Sequence, residues 1–304
     1  MKSLNSNDLI FKYEAFGLKI HSEIRLPELK PLKSEKSDIN IYLGEVDLPT
    51  RSVLDEGISY KLLDNTIYRF WDVIGKFKIT ADSIIVNSAE NVDKVILRNF
   101  LLGTVFATLL RLKGLFVLHA SSINMNGSAI AFSGFKGSGK STTAMAFYNE
   151  GYPIVADDYI TIQFDGDIPI IFPGFPSLRL SSKSRAAMGL NFDKSNLERN
   201  IMDKAYASVP KSFSSNKIPL KKVYILQRNK ESKIIDLKPQ EAFMELIKNT
   251  FSIHMFSKLE LPDNFVQCER IVKNLDLSIL VIPDSLEKIH EVTRMVEMDI
   301  EDKL

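Results

Sequence analysis

Ala129-Ile-Ala-Phe-Ser-Gly134-Phe-Lys-Gly-Ser-Gly139-Lys140-Ser141-Thr142 reads as an apolar strand, a glycine-rich loop and the start of a helix. Residues 134–141 match the pattern G-x-x-x-x-G-K-[ST] completely, in the strand-to-helix context the pattern requires. Glycines at 134, 137 and 139 let the backbone curl so that successive amides face phosphate oxygens, and the positive end of the helix dipole adds to the same field. The stretch Gly134, Phe135, Lys136, Gly137, Ser138, Gly139, Lys140, Ser141 and Thr142 is therefore expected to cradle a nucleoside triphosphate. Lys140 supplies a point charge near the β and γ phosphates, and Ser141 offers its hydroxyl to Mg²⁺.

Working outward, Ser141–Asn149 predicts a helix closed by Gly151 and Pro153, and Ile154–Ala156 predicts a buried strand running into Asp157 and Asp158. The acidic pair follows Lys140 by only 157 − 140 = 17 residues, room for one helix, a turn and a short strand. It should emerge beside the loop. One carboxylate can hold Mg²⁺ while the other takes a proton from an attacking hydroxyl, the division of labour of phosphoryl transfer. A solvated acidic turn is the blander alternative. Upstream, residues 115–123 and 129–134 predict two paired strands joined through Asn126-Gly127, which suits a tight hairpin turn. His119 lies in the first of them. Its ring either faces the same site, to stabilise transferring charge or hold the carboxylates, or is a hydrogen-bonded core residue.

The rest of the chain frames this region. Residues 1–90 alternate in short apolar runs, such as Lys12–Ile20, Ile39–Leu43, Thr66–Val73 and Lys76–Thr80, and predict a β-rich N-terminal domain. Trp71, Phe70, Phe77 and Tyr68 are candidates for its core. Asn91–Lys113 predicts one long helix with a wide apolar face, leading a mixed α/β catalytic domain over 91–304. Within that domain Ser181–Met188, Pro239–Thr250 and Ser285–Val296 read as helices and Val223–Leu226 as a strand. Lys211, Lys217, Lys221 and Lys222 form a loose basic group around Ser212-Phe-Ser-Ser-Asn216, either a loop that closes on nucleotide or acidic peptide, or a solvated connection.

Composition excludes several classes. With 39 Lys and Arg against 38 Asp and Glu, no global field favours nucleic acid or an anionic membrane, so neither is expected as a partner. A single cysteine, Cys268, forbids an intramolecular disulfide and removes Cys-rich zinc sites. The opening residues lack the apolar core of a signal peptide, and the apolar stretch Phe100–Leu110 falls short of the ~18 residues of a spanning helix. A cytoplasmic protein is expected, and a homo-oligomer is left open.

His119, the loop Gly134–Ser141 and Gly151-Tyr-Pro-Ile-Val-Ala-Asp157-Asp158 together resemble the catalytic domain of the bacterial HPr kinase/phosphorylase family, itself related to the phosphoenolpyruvate carboxykinase core. The resemblance implies a P-loop core and transfer of phosphate from ATP, with Mg²⁺, to a serine hydroxyl of a peptide or protein. It implies a catalytic set of His119, Lys140, Ser141, Asp157 and Asp158. The family's downstream Glu-Ile-Arg-Gly-Leu-Gly-Ile type stretch is replaced by Pro173-Gly-Phe-Pro-Ser-Leu-Arg179-Leu-Ser. Arg179 stays a candidate for phosphate or substrate. There is no Glu beside it, so the resemblance leaves the reverse, phosphorylase activity open. Phe16-Gly-Leu-Lys-Ile-His-Ser-Glu-Ile-Arg-Leu-Pro27-Glu-Leu, with Pro239-Gln-Glu-Ala-Phe and the Leu-Ile-Lys-Asn-Thr that follows, is similar to divergent members found with ribosomal peptide clusters. Those include kinases of lasso peptide precursor tails. A nucleotide-dependent switch or binding protein and a small-molecule kinase on the same core are the alternatives.

Overall fold

The computed structural model describes residues 10–50, 53, 55–181, 204–208, 213–256, 264–283 and 288–301. The chain divides into two compact units, Met1–Lys113 and Gly114–Leu304. The first is built on β1 (Phe11–Ala15), β2 (Leu18–Ser22), β3 (Lys30–Pro31), β4 (Ile39–Leu43), β5 (Asp55–Gly57), β6 (Tyr60–Leu63), β7 (Thr66–Trp71), β8 (Gly75–Ile79) and β9 (Ser83–Ser88). These form one sheet in the order β3-β1-β2-β4-β9-β8-β7-β6-β5. The apolar run Lys12–Ile20 is two strands rather than one, because Phe16 and Gly17 both take positive φ and turn the chain back on itself. Alternation places Phe77, Ile79, Ile84 and Val86 on the buried face.

That face is covered by the long helix, α1 (Lys94–Phe100) and α2 (Phe106–Leu112) joined by a π turn over Leu101–Val105. Asp93 caps it, accepting from the amides of Val95 and Ile96. Trp71 meets Phe100 edge-on at 4.8 Å between ring centroids, and Phe16 lies 5.8 Å from Phe106. These contacts make the helix the closing element of the first unit, not the opening one of the second. Lys94–Leu112 spans 19 residues and is long and apolar enough to cross a membrane, contrary to the shorter apolar stretch read from the sequence; 67% of it is buried. Its two apolar sides are core.

The second unit contains β10 (Phe116–Leu118), β11 (Ala120–Met125), β12 (Ser128–Ser133), α3 (Lys140–Asn149), β13 (Ile154–Ala156), β14 (Ile160–Asp165), β15 (Ile168–Ile171), β16 (Ser177–Ser181), β17 (Lys204–Ser208), β18 (Ile218–Arg228) and β19 (Lys233–Asp236). Helices α4 (Pro239–Asn249), α5 (Ile253–Phe256) and α6 (Asn264–Asn274), strand β20 (Asp276–Ile282) and helix α7 (Ile289–Glu301) complete it. The fold is mixed α/β. Its sheet runs β10-β14-β15-β18-β12-β11-β13, with β20 parallel to β18 and β19 antiparallel to β20. β16 and β17 make a separate ribbon. The expected strand 115–123 is broken at His119: β10 pairs with β14, whereas β11 pairs with β12 and β13. The Asn126-Gly127 turn is present, both residues having positive φ.

The strand Val223–Leu226 is longer than its apolar residues, running from Ile218 to Arg228, while α6, although amphipathic, and the apolar run of β20 were not named from the sequence. Of the expected helix Ser181–Met188, only Ser181 is described, as the end of β16; the remainder lies outside the described residues.

Phe132 is the keystone of the core beneath the glycine-rich loop. It stacks on Phe147 of α3 at 5.3 Å and on Tyr224 of β18 at 6.0 Å, with Ile123, Leu226, Leu280 and Val292 around it. Phe132→Ala is expected to lower the unfolding free energy of the second unit by about 3–5 kcal/mol, the range for emptying a buried aromatic site. Urea unfolding followed by far-UV circular dichroism measures it.

Candidate active site

The strand–loop–helix forms as its residues require. β12 ends at Ser133, and Gly134, Gly137 and Gly139 all take positive φ before α3 begins at Lys140. Gly134 is glycine for two reasons. Its φ is +144°, and a Cβ there would come within 3.0 Å of the Leu226 carbonyl oxygen. The crown of the loop, Phe135 to Gly137, is exposed, and Ser138 donates its amide to the Phe135 carbonyl at 3.1 Å. Lys140 is buried and folds back over the loop, its ammonium donating to the carbonyls of Gly134 at 2.7 Å and Phe135 at 3.1 Å. Ser141 follows one residue into the helix, with Thr142 beside it.

β13 lies antiparallel to β11 and delivers Asp157 and Asp158 to the same end of the sheet. Asp158 has φ +67°, a left-handed conformation that Asp tolerates better than most residues. Both carboxylates are buried. Asp157 accepts hydrogen bonds from the Ser121 hydroxyl, from the Ser141 hydroxyl and, at 2.5 Å, from the Arg179 amide. Asp158 accepts from the Arg179 guanidinium at 3.0 Å on Oδ2 and faces His119 Nε2 at 3.5 Å on Oδ1. His119 is held in turn: its amide donates to the Asn249 carbonyl, its own carbonyl accepts from the Ser133 hydroxyl, and its ring lies 5.6 Å from that of Tyr159. Of the two readings of His119, the strand break turns its side chain toward the carboxylates.

The two acids are driven apart. Burial, then the neighbouring charge of Asp158, raise the Asp157 pKa despite its three donors. Burial works against ionised Asp158 as well, but its hydrogen bond from His119 and the charge of Arg179 outweigh it and hold its carboxyl below the usual carboxylate range.

The residues singled out from the sequence thus converge in part. Lys140, Ser141, Asp157, Asp158, His119 and Arg179 share one end of the sheet, and Ser141 touches Asp157. Arg179 contacts both aspartates, Asp157 through its amide and Asp158 through its guanidinium. The basic group around Ser212–Asn216 does not form one surface. Lys222 is buried in an ion pair with Asp299 at 2.6 Å, Lys217 pairs with Asp165 at 2.9 Å, Lys221 reaches the Ile300 carbonyl, and Lys211 lies outside the described residues. Sequence reading missed Ser121 and Tyr159. Nearness in sequence to His119 and to the acidic pair was the available signal for each in turn.

Among the described residues no group of three or more His, Cys, Asp or Glu is placed to hold a metal ion. Mg²⁺ does not demand one, since it is commonly held by one or two carboxylates with phosphate oxygens and water. Ser141 and Asp157 are adjacent hard oxygen donors, and the raised pKa of Asp157 marks a buried carboxylate whose ionisation a cation would favour. The residues fit the ion.

No family model matches the chain, and no curated protein matches it. Among solved structures it is similar to the Hpr(Ser) kinase/phosphatase from Coxiella burnetii, at 11% identity, over 62% of this chain and 93% of that one, with a TM-score of 0.35.

The opposed shifts fix a sign. A carboxyl whose pKa is raised on folding contributes stability that is present at low pH and lost as pH rises through its folded value. Asp157 therefore destabilises the ligand-free protein at neutral pH. Asp157→Asn is expected to raise the melting temperature at pH 7, with the gain shrinking toward pH 4. Asp158→Asn, removing a carboxylate held ionised, should lower it at pH 7. Differential scanning fluorimetry across pH, without nucleotide or Mg²⁺, reads both.

Proposed function

We propose that the protein is an ATP-dependent kinase that transfers the γ-phosphate to a serine hydroxyl of a peptide or protein. The observation that carries this is the buried Asp157/Asp158 pair, tied to the phosphate loop through Ser141 and locked from the other side by Arg179 and His119. Such a site suits a positioned hydroxyl acceptor better than a mobile switch.

The loop amides and Lys140 bind the β and γ phosphates. Ser141 and Asp157 hold Mg²⁺, which when bound neutralises charge on those phosphates. Asp157, tied to Ser141, lies on the metal side, and Asp158, whose Oδ1 faces His119 only at 3.5 Å, is left to meet the acceptor. Its Oδ1 accepts the serine hydroxyl and orients the oxygen toward the γ-phosphorus. The new O–P bond forms as the bond to the bridging oxygen of ADP breaks, and the proton passes to the Asp158 carboxylate beside His119. A low pKa is tolerable for this base, because a loose phosphoryl-transfer transition state demands little proton removal until late. Arg179 keeps the carboxylate in place throughout. With no Glu beside Arg179 the forward reaction is favoured over its reversal.

For the acceptor, the similarity of Phe16–Leu29 and Pro239–Thr250 to kinases of ribosomal peptide clusters supports the tail of a lasso-type precursor, met in the cytoplasm.

Transfer of radiolabel from [γ-³²P]ATP to serine-ended precursor peptides tests the reading; label released only as free phosphate with every acceptor would sink it. Lys140→Ala and Asp158→Asn are each expected to slow transfer by about 10²-fold or more, the scale of a lost transition-state contact. Asp157→Asn should do so with a raised Mg²⁺ requirement, measured by titrating the metal at fixed ATP.

A further inference from the structure

The phosphate loop has two flanks, and only one is used by the site above. β12 lies between β11, which with β13 carries Ser121 and the aspartates, and β18, which runs parallel to β12. β20 is parallel to β18 in turn. The carboxyl ends of β12, β18 and β20 therefore open at the same edge of the sheet, at the Gly134 loop, at Arg228 and at Ile282-Pro283. Ligands of open α/β sheets bind outside such strand ends.

The loop and the β18 flank touch. A Cβ on Gly139, the last loop residue before α3, would lie 3.2 Å from Arg228 Nη2 and 3.0 Å from Ile282 Cδ1. Nη1 of the same guanidinium donates to the Pro283 carbonyl at 3.3 Å. Arg228 thus places its head group against the loop backbone where α3 begins, with its direction set by the adjoining strand.

A triphosphate lying along this loop has a polarity. Its γ end must reach the aspartates on the β11–β13 flank for transfer to occur, so its nucleoside end points across the loop toward β18 and β20. We infer that Arg228 is the contact for the α-phosphate of the nucleotide, and that the nucleoside sits over the strand ends Arg228 and Ile282-Pro283. A guanidinium suits the task because its planar fork donates two hydrogen bonds to one phosphate group. This assignment rests on the kinase reading proposed above, whose aspartates fix the γ end, and adds an α-phosphate contact from outside the motif.

Isothermal titration of the full chain with ATP, ADP and inorganic pyrophosphate, each with Mg²⁺, tests it. Arg228→Gln is expected to weaken ATP and ADP by about tenfold, the scale of one charge-assisted contact, while pyrophosphate changes less than about threefold because its two phosphates fill the β and γ positions and leave the α position empty. Arg228→Lys should fall between. Equal weakening of all three ligands would make Arg228 a general phosphate charge and overturn the polarity. Unchanged ATP and ADP binding in Arg228→Gln, with Lys140→Ala abolishing it, would overturn the assignment and leave the phosphate loop standing. A wild type that binds none of the three would overturn both. The exposed position of Arg228 makes an unchanged melting temperature the expected control.

Discussion

Two carboxylates side by side in a buried site cannot both be stable anions without help, and much of the second unit is arranged around that conflict. Asp158 receives charge, from Arg179 and from His119 when it is protonated. Asp157 receives neutral donors, two hydroxyls and one amide, which is not enough to offset burial and its neighbour. The asymmetry gives two chemically different oxygens within one dipeptide. The left-handed backbone of Asp158 serves the same end, turning the two side chains onto different partners.

Local sequence was most legible where chemistry restricts backbone most. The glycines at 134, 137 and 139 and the spacing to the acidic pair were readable because only certain residues can curl a chain around phosphate, and only one helix and one strand fit between. The Asn126-Gly127 turn was legible for a similar reason, as was β-rich character before residue 90. Long-range pairing was not. The stretch from Leu115 to Ile123 looks like one strand, and nothing local says that it changes partners at His119. Lys222 reads as a loop cation, yet the length of β18 buries it against Asp299 and Asp236. Both outcomes depend on residues far along the chain.

Arg228 shows the same limit. In sequence it follows an apolar run and precedes Asn229 and Lys230, the setting of an ordinary surface cation. Its meaning comes from strand order: β18 is parallel to and next to β12, and parallel neighbours end at the same edge. On the proposed reading, strand order puts Arg228 across the phosphate loop from the aspartates.

Arg179 joins these elements through the simplest rule of strand geometry. Successive residues of β16 point to opposite faces. Leu178 and Leu180 enter the core with Phe147 and Val292, and Arg179 between them faces the aspartates. β16 pairs with β17 in a ribbon separate from the main sheet, so apolar packing, not a sheet ladder, holds Arg179 in register with Asp157 and Asp158. Ribbon position and ionisation of the pair are therefore linked. A ribbon that shifted would remove a cation from one carboxylate and an amide from the other, and whatever favours both carboxylates as anions favours the ribbon in place. The fit of Leu178 and Leu180 in the core thus bears on the two carboxylates through Arg179.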